Sequence, residues 1–346
     1  MTRRTRYFLF GSVAFLLVGV CTGLIAYYSG LPIGAFSRSD QPNELAYVPS
    51  DAALVAYCDV QHVMQSELRQ KLHNKMQHRE EGQAEFERQT GINLEHDIDH
   101  VVGFLVPSQA AERYSGMVLA SGRFDVVKLE ALAREHGGEV EEYKGKRLIT
   151  RLADDHERRS MTVAFMSPGV VGLGDTEHVK RAIDRVSSGT NVLANKELMD
   201  LVDDIDNNNA WAVGRFDALM SHANLPQGVA SQIPAIRWFS ASGQVNGGLS
   251  GQLRAEARDE QAGQNLRDVA NGFLALARLQ SGNKPEMQAL VNSLQLSGSG
   301  KTVSLSFAIP ADVLDALGAA GNALHKHDAA ERDPDEENND EDANEQ

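Results

Sequence analysis

The sequence predicts an α+β fold in which antiparallel sheets are flanked by helices, with a two-fold internal repeat, after one N-terminal transmembrane helix. Three observations lead to this prediction. Short apolar or alternating segments of strand length are joined by tight turns, amphipathic segments separate several of them, and one long uncharged apolar run stands near the N-terminus. Together they indicate a membrane-tethered body built from strand pairs and helices.

The N-terminal apolar run is the most informative segment. Residues 7–36 carry no charge, and residues 7–28 are long enough for a membrane-spanning helix, which needs about 20 apolar residues. Three arginines precede the run, so residues 1–6 are predicted to be a cytoplasmic basic end. The rest of the chain is then extracytoplasmic, in a periplasm or at the cell surface, and residues 7–28 hold it to the membrane.

Two other interpretations of this run remain open. A cleaved secretory signal has an apolar core of about 7–15 residues followed by small residues, whereas this run is longer and ends in Tyr27 and Tyr28. A bacterial lipoprotein would carry its lipid on Cys21, but the preceding residue is Val20 rather than a small one. An uncleaved anchor fits the run better than either alternative.

The charge balance limits the class of partner. The chain has a formal net charge of −15, and acidic side chains crowd its C-terminal end, so residues 323–346 are predicted to be a disordered acidic tail. An acidic body argues against nucleic acid as a partner, because phosphate binding needs a basic face. A protein or another envelope component is the expected partner, and no cofactor is expected.

The segment between the anchor and the tail divides into a linker and two halves. Residues 29–45 contain two prolines and little apolar periodicity, which is typical of an extended linker. Residues 46–190 and residues 191–322 each contain strands and helices in a similar order, and they are predicted to be two α+β halves. No disulfide is expected, because Cys21 lies in the apolar run and Cys58 in a predicted strand.

The first half is predicted to alternate strands with helices. Strands are expected at 53–59, 101–106 and 115–121, a long helix between the first two, a second helix after Asp125, and hairpins at 140–150 and 161–173. Asp175 is placed to cap the following helix at its N-terminus, and Gly189 is placed to end it.

The second half begins with a strand at 209–214 and contains the clearest hairpin of the chain, at 236–257. Asn246 and Gly247 stand at its centre and tolerate the positive φ of a type I′ turn. A helix at 259–279 is predicted to turn Leu266, Val269, Phe273, Leu276 and Ala277 inward. A last hairpin is predicted around residues 298–300.

A repeated tetrapeptide supports the two-fold repeat. Gly-Arg-Phe-Asp occurs at 122–125 and at 214–217, each time between a predicted strand and a predicted helix. Residues 55–65 also align with residues 211–221. One interpretation makes Arg123 and Arg215 a symmetric ligand clamp. The alternative is local junction chemistry, in which the aspartate caps the helix and the phenylalanine packs on its first turn.

Two further patterns are candidate ligand sites. His96 and His100 have the spacing that brings two imidazoles to one metal ion on a helix, whereas the apolar residues around His100 predict a strand, in which the two would stand apart. Residues 300–302 (Gly-Lys-Thr) resemble the end of a phosphate-binding loop. Gln295 stands where that motif needs glycine, and an alternating strand follows, so a hairpin turn is predicted instead.

The sequence carries no Gly-x-Ser-x-Gly elbow. The leading hypothesis is therefore a non-catalytic binding or scaffolding module that is held outside the cytoplasm by one membrane span. The alternative is a membrane-tethered hydrolase whose site is assembled from distant residues.

Several short motifs resemble those of uncharacterised bacterial membrane-anchored proteins that are grouped as domains of unknown function. They lie at 47–52 (Tyr-Val-Pro-Ser-Asp-Ala), 90–99, 172–175 (Gly-Leu-Gly-Asp) and 195–198 (Asn-Lys-Glu-Leu). The resemblance covers most of the predicted extracytoplasmic part. It implies a tethered α+β module and supplies no catalytic residues.

Overall fold

The computed structural model describes residues 42–69, 87–107, 114–135, 137–151, 160–205, 208–221, 235–282 and 285–314. The predicted membrane helix at 7–28, nearly all of the predicted linker at 29–45, and the predicted tail at 323–346 lie outside these residues. None of the helices in the described part of the chain has the length and apolar character needed to cross a membrane.

The fold is α+β, and its strands form one antiparallel sheet of twelve strands rather than several sheets. The strands are β1 (Leu54–Asp59), β2 (Ile98–Pro107), β3 (Tyr114–Gly122), β4 (Glu139–Tyr143), β5 (Lys146–Arg151), β6 (Met161–Ser167), β7 (Val170–Asp175), β8 (Ala210–Arg215), β9 (Ile236–Val245), β10 (Gly248–Ala257), β11 (Gln295–Ser297) and β12 (Thr302–Pro310). Their order across the sheet is β11-β12-β10-β9-β8-β1-β2-β3-β7-β6-β5-β4.

Helices connect and cover the strands. Those that lie wholly within the described residues are α1 (Val60–Gln65), α2 (Leu94–Asp97), α3 (Val126–Glu135), α4 (Thr176–Ser188), α5 (Lys196–Asp203), α6 (Phe216–Ser221), α7 (Glu260–Ser281) and α8 (Pro285–Ser293), with 3-10 turns at Asn43–Tyr47 and Val192–Ala194. The long helix expected after β1 is interrupted. Its first part, α1, ends at Gln65, because Ser66 adopts an extended backbone with ψ 145°. Residues 67–69 and 87–90 are again helical, and residues 70–86 lie outside the described part of the chain.

The first and second halves meet where β1 pairs with β8. Ala56 faces Ala212 at the middle of this antiparallel pair. Outward from it, the strands run β1-β2-β3-β7-β6-β5-β4 on one side and β8-β9-β10-β12-β11 on the other. Because neighbouring strands alternate in direction, β1 and β3 end at one end of the sheet, and β8 ends at the opposite end.

The two faces of the sheet are packed differently. On one face, called the α4 face, α4, α5 and both 3-10 turns bury the apolar side chains of β1–β3 and β5–β8, including Val55, Leu119 and Trp211. On the other face, α1 covers Cys58 and Ala210. The core of the α4 face includes Leu198 and Val202, so it continues from the first half across residue 190 into α5.

The turns confirm part of the sequence reasoning. Lys144 and Gly145 have φ values of 48° and 76°, as a type I′ hairpin between β4 and β5 requires. The β9–β10 hairpin is also confirmed, but its type I′ turn is wrong. Neither Asn246 nor Gly247 is among the described residues with positive φ, and the amide of Asn246 instead bonds to the Gly248 carbonyl.

Of the two capping predictions for α4, one holds and one fails. Gly189 ends α4 with φ 70°. The structure adds a cap that was not predicted, since the Asp259 carboxylate accepts the Ala262 amide at the start of α7. Asp175 stands at the N-cap of α4, but its side chain makes no capping bond there. That carboxylate accepts a hydrogen bond from Ser115 instead.

The predicted inner side of α7 is wrong for three of its five residues. Val269, Phe273 and Leu276 are exposed, whereas Leu266 and Ala277 are half-buried. Gly263 and Leu274 are buried instead. Packing against the end of β12 turns the helix this way, because Gly263 lies against the Gly300 carbonyl, where a Cβ would come within 2.3 Å of the oxygen.

Close backbone approach at the centre of the sheet gives a stability prediction. A Cβ at Gly214 would lie 2.6 Å from the Ala53 carbonyl oxygen and 2.9 Å from the Phe239 ring. We expect Gly214→Ala to lower the free energy of unfolding by about 1–3 kcal/mol through overpacking. Urea denaturation of the full-length chain in detergent measures it.

Gly272→Ala is the matched control for this substitution. Gly272 lies inside α7, and nothing is within 4 Å of its added Cβ. Alanine there should raise the free energy of unfolding by about 0.5–1 kcal/mol in dilute protein, because glycine disfavours helices. Equal effects of the two substitutions would contradict the close approach at Gly214.

Candidate functional site

The structure does not bring Arg123 and Arg215 together. Arg123 follows β3 and Arg215 ends β8, so they lie at opposite ends of the sheet and three strands apart, at a distance of ~30 Å. Each has local partners. The Arg123 guanidinium donates to the His96 carbonyl and lies 3.4 Å from Asp97, and that of Arg215 lies 3.4 Å from Asp217. These contacts fit the junction interpretation and not a shared clamp.

His96 and His100 lie in different elements and differ in exposure. His96 lies in the short helix α2 and is exposed, whereas His100 lies in β2 and is partly buried. The Nε2 atom of His100 is 3.0 Å from a carboxylate oxygen of Glu44. Among the described residues, no group of three or more His, Cys, Asp or Glu side chains has the arrangement to hold a metal ion.

His100 belongs to a row of rings on the α4 face. Tyr57 stacks on Trp211 across the β1–β8 pair, with ring centroids 5.6 Å apart and planes at 22°. The His100 ring lies 5.6 Å from the other side of Tyr57. Glu44 is buried beside this row, so the His100–Glu44 contact holds the first 3-10 turn against the sheet.

The environment shifts the pKa values of this cluster in opposite directions. Burial alone would raise the pKa of Glu44, but the hydrogen bond and positive charge of His100 outweigh it and lower the pKa. Burial alone would lower the pKa of His100, but the hydrogen bond and charge of Glu44 raise it. Burial raises the pKa of Tyr57 well above its usual range, so its hydroxyl stays protonated. Both shifts favour the charged forms, so Glu44 and His100 form an ion pair at pH values below the raised pKa of His100, beside a neutral phenol.

A serine, a histidine and an aspartate meet at the opposite end of the sheet, which bears on the hydrolase alternative. The Ser115 hydroxyl donates to Asp175 and lies 3.1 Å from Nδ1 of His178. Both Ser115 and His178 are buried, and burial lowers the pKa of His178. A hydrolytic triad needs separate histidine nitrogens for the serine and the aspartate. Here Ser115 and Asp175 both lie toward Nδ1 of His178, and the Ser115 hydroxyl is buried. The cluster therefore fastens α4 to β3.

An open polar cavity lies elsewhere on the α4 face, where β9 and β10 pass the end of α5. Its volume is about 220 Å³. It is lined by Asp204, Ile205, Asn208, Ser240, Ser242, Gly251, Gln252 and Arg254. An Arg254 nitrogen is 2.6 Å from an Asp204 carboxylate oxygen, so the charges at the mouth of the cavity neutralise each other.

The cavity is one end of a regular polar surface. Strand register places polar residues directly opposite one another on β9, β10, β12 and β11. One row is Ser242, Gln252, Ser306 and Gln295, and the next is Ser240, Arg254, Ser304 and Ser297. We call these eight residues the polar rows. At about 4.8 Å between strands, each row spans roughly 14 Å.

The polar rows offer hydrogen-bond donors and acceptors and almost no net charge. Hydroxyl and amide groups both donate and accept, and Asp204 neutralises Arg254. Such a surface suits a neutral or zwitterionic polar ligand, and the lining of the cavity contains no histidine or cysteine. The sequence signalled the rows only in part, through the alternation of β10, whereas Glu44 stood inside a predicted linker and gave no signal.

The chain matches no family model and no curated protein. Among solved structures it is similar to one described as "Structure of crystal form I of TP0453", with 11% sequence identity and a TM-score of 0.44. The match covers 82% of this chain and 99% of that one. A likeness at this level carries no argument about function.

The ion pair of Glu44 and His100 predicts a pH dependence of stability. The raised pKa of His100 gives stability that is complete below its ordinary pKa of 6.5 and is lost as pH rises through the folded value. The lowered pKa of Glu44 gives stability that is present above 4.5 and is lost as pH falls through the folded value. Glu44→Gln should therefore lower the free energy of unfolding by about 1–3 kcal/mol between pH 4.5 and pH 6.5, and by less outside this range.

Urea denaturation at a series of pH values measures this difference. Arg237→Gln is the control, because it breaks an exposed ion pair with Glu197. It should lower the free energy of unfolding by less than about 1 kcal/mol at every pH in the series. A cost of Glu44→Gln that does not change with pH would contradict a charged pair.

Proposed function

We propose that this chain is a single-pass membrane-anchored protein whose extracytoplasmic body is a non-catalytic binding module. Its ligand would be a protein, a peptide or another polar envelope component, and the cavity at Asp204 and Arg254 would contact it. The observation that carries this proposal is the open polar surface on a sheet face that is elsewhere covered by helices. A binding role needs such a surface and no reactive group.

Helices cover the α4 face over the first strands but not over the polar rows, and this difference supports the proposed position of the binding site. On the α4 face, α4 and α5 bury the strands of the first half under apolar side chains such as Val179 and Leu198. The polar rows occupy the same face of β9–β12, and Gln252, Gln295 and Ser297 are exposed there. Ser240 and Ser304 are buried within the rows, so Gln252, Gln295 and Ser297 are the residues most open to a ligand.

The hydrolase alternative has less support. Ser115, Asp175 and His178 have suitable side chains, but the serine hydroxyl is buried and is taken up by the aspartate. The polar cavity at Asp204 and Arg254 includes none of the three. The lining of the polar cavity includes Ser240 and Ser242, but its carboxylate, Asp204, pairs with Arg254. Covalent hydrolysis needs a base that activates the nucleophile.

We further propose that the two halves arose as a two-fold repeat. The strand order β1-β2-β3-β7-β6 has its counterpart in β8-β9-β10-β12-β11. Each series begins with a strand of six residues followed by a helix of six residues. These are β1 and α1 in one series and β8 and α6 in the other. Ala56 and Ala212, which align in sequence, also face each other across the central pair. The identical tetrapeptides do not fit this scheme, since one follows β3 and the other spans the β8–α6 junction.

The anchor at 7–28 and the extracytoplasmic location are tested together by a reporter fused after Gln346. A reporter that is active only outside the cytoplasm should give signal, because the basic residues 1–6 stay inside. Deleting residues 7–28 should abolish that signal. Activity of a cytoplasmic reporter at the same position would contradict the proposed topology.

Binding at the cavity is tested by photo-crosslinking in cells. A photo-reactive phenylalanine analogue at Gln252 of the full-length chain should give a defined adduct, because this exposed side chain lines the cavity. The same analogue at Glu142 on β4, at the far edge of the sheet, is the control and should give none. Mass spectrometry identifies the adduct.

A second pair of variants tests whether the Gln252 adduct depends on the cavity itself. Arg254→Glu should abolish the Gln252 adduct, because it removes the cavity's cationic donor and places two carboxylates together. Arg237→Glu, also on β9–β10 but paired with Glu197 outside the cavity, should keep the adduct. Thermal melts of both variants report whether they fold. Absence of any adduct, or the same adduct at Glu142, would contradict the proposed site.

A further inference from the structure

One side of α7 presents an apolar surface to solvent. Val269, Phe273, Leu276 and Leu279 are 42%, 68%, 48% and 80% exposed. With Gly272 they form the α7 stripe. The opposite side holds the helix to the body, where Leu274 is buried and the Arg267 guanidinium donates to the carbonyls of Gly300 and Thr302. A contiguous exposed apolar surface on a stable helix is a mark of an interaction site.

The stripe has the geometry that receives another helix. Val269, Gly272, Phe273 and Leu276 stand at positions i, i+3, i+4 and i+7, which form the four-residue hole used in knobs-into-holes packing. Gly272 deepens this hole because it has no side chain, and the space that a Cβ would fill is open. Phe273 beside it projects as a knob. One surface therefore carries both a projection and a recess.

The charges of α7 favour a protein over a bilayer as the occupant. At 3.6 residues per turn, Arg267 and Arg278 project away from the stripe, and Asp268 is the charged residue of α7 that borders it. Helices that lie on membranes carry lysine or arginine beside their apolar face to meet anionic lipid. The stripe has no such cations, and the chain has a net charge of −15.

We propose that the α7 stripe is a self-association surface that packs against the same stripe of a second copy, with the two helices antiparallel. A two-fold interface must be complementary to itself, and the stripe is. An axis between Gly272 and Phe273 sets each Phe273 ring against the partner's Gly272. The same axis sets Val269 against the partner's Leu276. Each large side chain thus faces a smaller one. This proposal does not depend on the polar cavity.

The size of the surface sets the strength of the dimer. A helix of 22 residues is about 33 Å long, and one helix pair buries less than the ~1,000 Å² of a stable interface. We therefore expect a weak dimer in dilute solution. Two copies held in one membrane would have a high effective concentration and would associate more fully.

Disulfide trapping of the full-length chain in detergent tests the proposal. The background carries Cys21→Ser, and Cys58 is buried and inert to the oxidant. Phe273→Cys lies beside the proposed axis and should give a disulfide-linked dimer whose yield rises with protein concentration. Asn271→Cys, exposed on the other side of the same helix, is the matched control and should stay monomeric.

Adding Leu276→Glu to Phe273→Cys should reduce the dimer at least about tenfold, since it buries two carboxylates. Adding Asn271→Glu should leave it unchanged.

Fluorescence identifies what covers the stripe. An environment-sensitive dye on Phe273→Cys is followed in lipid nanodiscs that hold one copy or several copies of the full chain. A blue shift that appears only with several copies supports the dimer. A blue shift already present with one copy, whether from lipid or from another segment of the same chain, overturns it. Equal trapping of Asn271→Cys, or no trapping and no shift at any ratio, overturns it as well.

Discussion

The pairing of β1 with β8 is the interaction on which the rest of the structure depends. It joins the two series of strands into one sheet and places Ala56 against Ala212 at the centre. Gly214 in the same pair must stay small, because a Cβ there would lie 2.6 Å from the Ala53 carbonyl oxygen. Loss of this pair would leave two open sheet edges and would expose the Tyr57–Trp211 stack beneath α4 and α5.

The cover of the α4 face explains why one region is core and another is surface. Apolar side chains on α4 and α5 match the apolar strands β1–β3, and this burial removes most of that face from water. The strands β9–β12 carry serine and glutamine at the corresponding places, so the gain from burial is absent and the face stays wet. The same physical rule thus produces both the core and the polar rows.

The reactive side chains of the body are mostly used to fasten elements together. Glu44 and His100 hold the first 3-10 turn, and Ser115 and Asp175 hold α4. Both pairs bring together residues from different elements at the ends of strands, where unpaired polar groups would otherwise be buried at a cost. Clusters of this kind resemble catalytic sites in composition but differ in access, because their reactive atoms point into contacts within the protein.

The sequence by itself determined the α+β class, most strands, the β4–β5 and β9–β10 hairpins and the glycine that ends α4. These features depend on neighbours in the chain, through alternation, turn residues and capping. Only the tertiary structure decided the single sheet, the separation of Arg123 from Arg215 and the contact of Glu44 with His100, because these depend on which strands pair. It also decided the orientation of α7. The sequence pattern located an apolar side on that helix, but the close contact at Gly263 turned that side toward solvent.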